Sequence, residues 1–126
     1  MKEETISRIA VVILSIVLAV FGIYHLVYPD NMINFIPSFL PGGIVWVYIA
    51  GAAIILAALA FLTHKQVRLA GYLLAILLIG IVLTFHLPNY LHAGDPDLKT
   101  GKFIDILQDS AIAAFAIYIA SNSKKI

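Results

Sequence analysis

Apolar residues fill four long stretches of the chain, and polar residues separate them. The predominantly apolar stretches run over residues 9–28, 44–63, 69–87 and 103–120. Because a helix rises about 1.5 Å per residue, a stretch of about twenty residues crosses the roughly 30 Å hydrocarbon core of a bilayer. The pattern therefore predicts an all-α integral membrane protein, a four-helix transmembrane bundle with spans at about 7–28, 44–63, 68–88 and 103–121. We expect residues 1–126 to form a single transmembrane domain.

The composition supports lipid as the solvent of this chain. The 126 residues are 62% hydrophobic and 12% charged, with a mean hydropathy of +1.00, whereas soluble domains carry about 25% charged residues. The net charge of +1 argues against nucleic acid as a partner. The chain contains no cysteine, which excludes disulfides, thiolate catalysis and CxxC redox motifs. A redox role would therefore need a cofactor or a partner protein.

Basic residues are concentrated on one side of the predicted bundle. This side holds Lys2, Arg8, Lys65, Arg68, Lys124 and Lys125. Lys99 and Lys102 lie on the other side, together with Asp30, Asp95 and Asp97. By the positive-inside rule, we expect both termini in the cytoplasm. The first apolar stretch is longer than the core of a secretory signal and no small-x-small cleavage site follows it, so we interpret it as a retained helix.

The two longer connections face outward in this topology and differ in character. Residues 29–43 are apolar and rich in proline, which breaks regular helix. We interpret them as a connector in the membrane interface in preference to a lid over the bundle. Residues 92–101 contain Gly, Asp and Pro and predict an ordinary turn.

Polar side chains collect in the outward-facing half of the predicted bundle. They are His25 in the first helix, Tyr48 in the second, His86 and Asn89 at the end of the third, and Asp105, Gln108 and Asp109 in the fourth. The spacing of the last three places them on one helix face. Ionisable residues within a membrane span usually face a bundle interior or a water-filled cavity. The sequence therefore predicts an outward-facing polar pocket formed by these side chains.

Each ionisable residue also has a structural interpretation. His25 and His86, taken singly, are more typical of neutral imidazoles bonded to backbone carbonyls. Asp105 can be an interfacial carboxylate near the positive end of its helix, paired with Lys102. Asp109 lies about 6 Å further along the helix, so we expect it to have a polar partner, either His25 or His86.

Such a cluster suits a proton relay or a pocket for a ligand headgroup better than it suits a metal or haem. The spacing matches no recognised ligand signature, so we assign no metal.

Several short motifs resemble those of the DoxX and DoxX-like small membrane proteins. The first helix carries Gly22-Ile23-Tyr24-His25 with a proline at 29, the third ends Phe85-His86-Leu87-Pro88-Asn89, and the fourth opens Leu107-Gln108-Asp109-Ser110-Ala111. DoxX-like proteins often have lysine where this chain has Gln108. They also often have a glutamate three residues after the glycine of the second helix, where this chain has Ile54.

The resemblance implies a multi-pass protein of the bacterial cytoplasmic membrane. It points to an accessory or quinone-associated subunit of a membrane redox system, with quinone as the candidate cofactor and redox subunits as candidate partners, and not to a stand-alone enzyme. Asp109 would then carry a proton, with His25 and His86 as its partners. The alternatives are a non-enzymatic bundle that binds or transports a small lipidic ligand, and a structural anchor for a partner. Small residues on several helices leave room for a homo-oligomer without requiring one.

Overall fold

The computed structural model describes residues 2–32 and 41–123. Over these residues the structure is all-α and contains no strand. Four helical segments are long and apolar enough to cross a membrane, namely Glu3–Val27, Ile44–Thr63, Val67–His92 and Pro96–Ser121. The prediction of an all-α fold with four membrane-spanning helices is confirmed, and the chain is a multi-pass membrane protein. The orientation of the termini stays a prediction.

Six α-helices and one π-helical turn make up these four segments and a short connecting helix. They are α1 (Glu3–Val27), α2 (Pro29–Met32), α3 (Ile44–Thr63), α4 (Val67–Ile81), the π-turn (Val82–His86), α5 (Leu87–His92) and α6 (Pro96–Ser121). Residues 33–40, the middle of the connection that we interpreted as an interfacial connector, lie outside the described residues, as do Lys124 and Lys125.

The third span continues beyond the proline at which we expected it to end. Proline lacks an N–H, and in an α-helix its ring clashes with the carbonyl four residues back, which for Pro88 is that of Thr84. Thr84 lies inside the π-turn, where the helix is wider and the Leu87 N–H bonds the Val82 carbonyl. A π-turn is an established way to absorb such a break. The segment therefore remains helical through Pro88 to the end of α5.

The fourth helix begins seven residues before its apolar stretch, within the region where we predicted a turn. Asp95 is its N-cap, and its carboxylate accepts a hydrogen bond from the Asp97 N–H at 3.3 Å. Pro96 occupies the first turn, where its missing N–H has no intrahelical partner to lose. Capping chemistry, rather than hydropathy, therefore sets the start of α6.

The bundle is built from two closely packed helix pairs, α1 with α3 and α4 with α6. Gly22 and Gly51 allow the first pair to approach, because a Cβ at Gly22 would lie 2.9 Å from the Gly51 carbonyl oxygen. Gly71 does the same for the second pair, since its Cβ would lie 2.8 Å from the Ala116 carbonyl oxygen. Small residues allow close van der Waals packing between helices, which matters because lipid removes the hydrophobic driving force for their association.

The buried core lies toward the end of the bundle that carries the α3–α4 hairpin. Leu18, Ile54 and Phe61 are its largest fully buried apolar side chains. At this end the Arg8 guanidinium donates to the carbonyls of Phe61 and Leu62 at 2.8 and 2.7 Å. These carbonyls belong to the last turn of α3, where the Phe61 carbonyl also accepts from the His64 N–H at 3.3 Å, so Arg8 adds a cap from a neighbouring helix.

Candidate functional site

A pocket of about 270 Å³ lies at the end of the bundle opposite the α3–α4 hairpin. All four membrane-spanning segments contribute to its wall, which is mainly apolar and aromatic and includes five polar side chains. The lining residues are Phe21, His25, Trp46, Val47, Ala50, Ile54, Leu78, Ile81, Phe85, His86, Asp105, Gln108 and Asp109. An apolar concavity with a few convergent polar groups is the usual form of a small-molecule site.

The structure brings five of the seven residues predicted from the sequence to this pocket, namely His25, His86, Asp105, Gln108 and Asp109. Tyr48 and Asn89 do not line it. The α3 face that borders the pocket carries Val47 and Ala50, whereas Tyr48 is 43% exposed on the side of the helix that faces away from the core. Consecutive helix residues are about 100° apart, so Tyr48 lies about 200° around the helix from both Trp46 and Ala50, which line the pocket. Asn89 is half-buried in α5, beyond the π-turn.

His86 and Asp109 form a hydrogen-bonded pair in the polar wall of the pocket. The His86 Nε2 atom lies 2.8 Å from the Asp109 Oδ2 atom, and each residue is 8% exposed. His86 is the last residue of the π-turn, and Asp109 is the first buried residue of α6. The expectation that Asp109 has a histidine partner is confirmed, and that partner is His86. Their bond joins the third span to the fourth.

His25 is held by its own helix. Its Nδ1 atom lies 2.8 Å from the Phe21 carbonyl oxygen, as the structural interpretation predicted, and its ring lies 4.8 Å from the Phe21 ring. Because a carbonyl oxygen can only accept, Nδ1 carries the proton and Nε2 of the neutral ring is an acceptor. Gly51 of α3 packs against this residue, since a Cβ there would lie 2.7 Å from the His25 Cβ.

Asp105 and Gln108 extend the polar wall along α6. Asp105 is half-buried and lies one helical turn before Asp109. Gln108 is exposed overall and still borders the pocket. The spacing of Asp105, Gln108 and Asp109 predicted that they share one helix face, and this face of α6 lines the pocket. Within the described residues no group of three or more His, Cys, Asp or Glu side chains could hold a metal ion.

Sequence reasoning missed the aromatic residues of the wall. Phe21 precedes His25 by four residues, so helical spacing could have placed it on the same face, whereas Phe85 is adjacent to His86 and has no such spacing. Trp46 lies in the first turn of α3, and its Nε1–H donates to the Pro41 carbonyl at 2.7 Å. Hydropathy patterns do not reveal this bond, because it links Trp46 to a residue that precedes the helix.

Residues 14–100 match a protein family that is described as a domain of unknown function, DUF8561. The chain belongs to this family. No curated protein and no solved structure matches the chain. The DUF8561 region contains His25, Trp46 and His86 and ends before α6 reaches the pocket. Asp105, Gln108 and Asp109 therefore lie outside the matched residues.

Proposed function

We propose that this DUF8561 protein binds a quinone-like ligand in the pocket and serves as an accessory, quinone-associated subunit of a membrane redox system. One observation carries the proposal: a buried imidazole–carboxylate pair, His86 with Asp109, lies in the wall of a largely apolar and aromatic pocket. A ring with two oxygen atoms needs an apolar slot for its body and a few polar groups for its edge, and this wall offers both.

The size of the pocket supports a single substituted ring as the ligand. A protein cavity of about 150 Å³ is large enough for benzene, so about 270 Å³ leaves room for ring substituents. Phe21, Trp46 and Phe85 offer aromatic surfaces against which such a ring can pack. The pocket is also partly open, which allows a hydrocarbon tail to leave it toward the lipid.

The His86–Asp109 pair supplies the proton chemistry that such a ligand requires. Reduction of a quinone to the quinol takes up two electrons and two protons, and oxidation releases them. The pair holds a proton between Nε2 and Oδ2 at 2.8 Å, which suits it to exchange protons with a ligand oxygen. Because the chain has no cysteine, we assign the electrons to a redox partner subunit.

The resemblance to DoxX-like proteins supports the same proposal. It favours the bacterial cytoplasmic membrane as the location, and the positive-inside rule would then place the pocket toward the outer face. Of the motifs that resemble the DoxX family, those around His25, His86 and Asp109 all contribute to the pocket wall.

Ligand binding can be measured through Trp46, because it lines the pocket and is the single tryptophan of the chain. We expect trimethyl-1,4-benzoquinone to quench its fluorescence saturably in tryptophan-free detergent micelles. Asp109→Asn should weaken binding of the corresponding hydroquinone, measured by competition with the quinone, about tenfold, because the amide replaces a carboxylate that accepts an O–H and one good hydrogen bond is worth about 1.4 kcal/mol. Asp97→Asn is the matched control, because Asp97 is exposed and outside the pocket. Quenching that is no stronger than that of N-acetyltryptophanamide in the same micelles would refute quinone binding.

A second candidate function is binding or transport of a small lipidic ligand without redox chemistry. The partly open and largely apolar wall of the pocket favours it. Mass spectrometry of the purified protein separates the two functions. A co-purified quinone supports the first, whereas a co-purified lipid that lacks a redox-active ring supports the second.

A further inference from the structure

Most polar atoms that the pocket offers to a ligand are hydrogen-bond acceptors. The His25 Nδ1–H is engaged by the Phe21 carbonyl at 2.8 Å, so the neutral ring offers the acceptor atom Nε2. Asp105 and Asp109 each offer carboxyl oxygens, which accept hydrogen bonds. Three of the five polar side chains in the wall thus present acceptors.

The donors of the same wall are already used within the protein. The Trp46 Nε1–H donates to the Pro41 carbonyl at 2.7 Å, and the His86 Nε2 atom shares its proton with Asp109 at 2.8 Å. Neither lysine nor arginine lines the pocket in the described part of the chain. Among the side chains of the wall, the Gln108 amide is then the one with a donor that no described contact uses.

We infer that the pocket selects the reduced, hydroxyl-bearing form of its ring ligand, a hydroquinone, over the corresponding quinone. The inference rests on the proposed function and adds the chemical form of the ligand. The two O–H groups of a hydroquinone match acceptors such as His25 Nε2 and the Asp105 carboxylate. The carbonyls of a quinone need donors, and a buried polar group that lacks a partner weakens binding. The aromatic wall contacts both rings alike, so the oxygen atoms decide the preference.

This selectivity has a redox consequence. A protein that binds the reduced form more tightly raises the midpoint potential of the bound couple. For a two-electron couple, a tenfold preference corresponds to a shift of about 30 mV. The bound ring would therefore be easier to reduce, and harder to oxidise, than the same ring in the lipid.

Three ligands of one ring system test the inference on the full chain in detergent under anaerobic conditions: trimethylhydroquinone, its dimethyl ether and trimethyl-1,4-benzoquinone. We expect equilibrium dialysis to give at least about tenfold tighter binding of the hydroquinone than of either other ligand. Equal or tighter binding of the quinone, or of the ether, overturns the selectivity and leaves quinone-type binding standing. If none of the three binds, the proposed function itself fails.

Two pocket variants test the source of the preference. His25→Phe removes an acceptor and should weaken hydroquinone binding several-fold more than it changes quinone binding. Asp105→Asn replaces an acceptor by an amide that can donate, so the ratio of hydroquinone to quinone affinity should fall. Asp97→Asn, outside the pocket, should keep the ratio of the unmodified protein. An unchanged ratio in both pocket variants overturns the assignment of these acceptors.

Discussion

At the scale of single residues, the His86–Asp109 bond is a buried polar contact in the pocket wall. Both side chains are 8% exposed, and one 2.8 Å bond joins the third membrane-spanning segment to the fourth. Hydrogen bonds between membrane helices contribute modestly, about 0.6 kcal/mol on average and up to about 1.7. Removing one partner costs more than the bond is worth, because the other polar group is left buried.

A double-mutant cycle should detect this coupling. We expect His86→Phe and Asp109→Leu each to lower the free energy of unfolding by about 2 kcal/mol, and the double variant to lower it by about 1 kcal/mol less than their sum. Unfolding in mixed detergent–SDS micelles measures all three. His25→Phe combined with Asp109→Leu is the control, because His25 bonds its own helix and should add independently. A coupling energy below about 0.3 kcal/mol for His86 with Asp109 would contradict the pair.

The sequence predicts that Asp109 needs a partner but does not identify it. Its depth in an apolar stretch requires a polar contact, and both His25 and His86 lie at a similar depth in the predicted topology. The choice depends on helix pairing: α4 packs along α6, while the His25 donor is taken by the Phe21 carbonyl. Tyr48 was included because it is polar and at the right depth. Its place on the helix circumference depends on packing, which hydropathy does not describe.

At the scale of helices, the close approach of α1 and α3 fixes the position of His25. The two helices meet at Gly22 and Gly51, and the His25 Cβ lies against Gly51. Small residues in the sequence predict tight packing on several helices but do not say which helices pair. Hydropathy does not reveal the π-turn either, because five residues give the same apolar pattern in a π-turn as in an α-helix. Pro88 was its local sign, and we interpreted it as a helix end.

Adding a methyl group at this crossing should disturb both stability and binding. A Cβ at Gly51 would lie 2.7 Å from the His25 Cβ, so α1 must move away from α3. We expect Gly51→Ala to cost about 1–3 kcal/mol of unfolding free energy and to weaken quenching of Trp46 by the quinone. Gly80→Ala is the matched control, since no atom lies within 4 Å of its added Cβ. If both variants behave alike, the close approach does not position His25.

At the scale of the whole molecule, the two ends of the bundle contain different structural features. The hairpin end contains the apolar core and the Arg8 contacts with α3, and the opposite end contains the pocket. Large apolar side chains such as Ile13, Leu56 and Ile76 are more than half exposed, as expected of lipid-facing helices. The sequence predicts the four spans well because length and hydropathy determine them. It places their ends less well, because caps and the π-turn determine those.

The charge distribution predicts the direction in which the bundle crosses the membrane, and labelling can test this prediction. The chain has no cysteine, so single cysteines can be introduced without removing any. Gly94 lies between α5 and α6, where nothing is within 4 Å of an added Cβ, and Ser123 lies just beyond α6. With both termini in the cytoplasm, a membrane-impermeant maleimide should label Gly94→Cys in intact bacterial cells and Ser123→Cys only after lysis. The reverse pattern would place the pocket on the cytoplasmic side and would require any quinone-linked partner to act there.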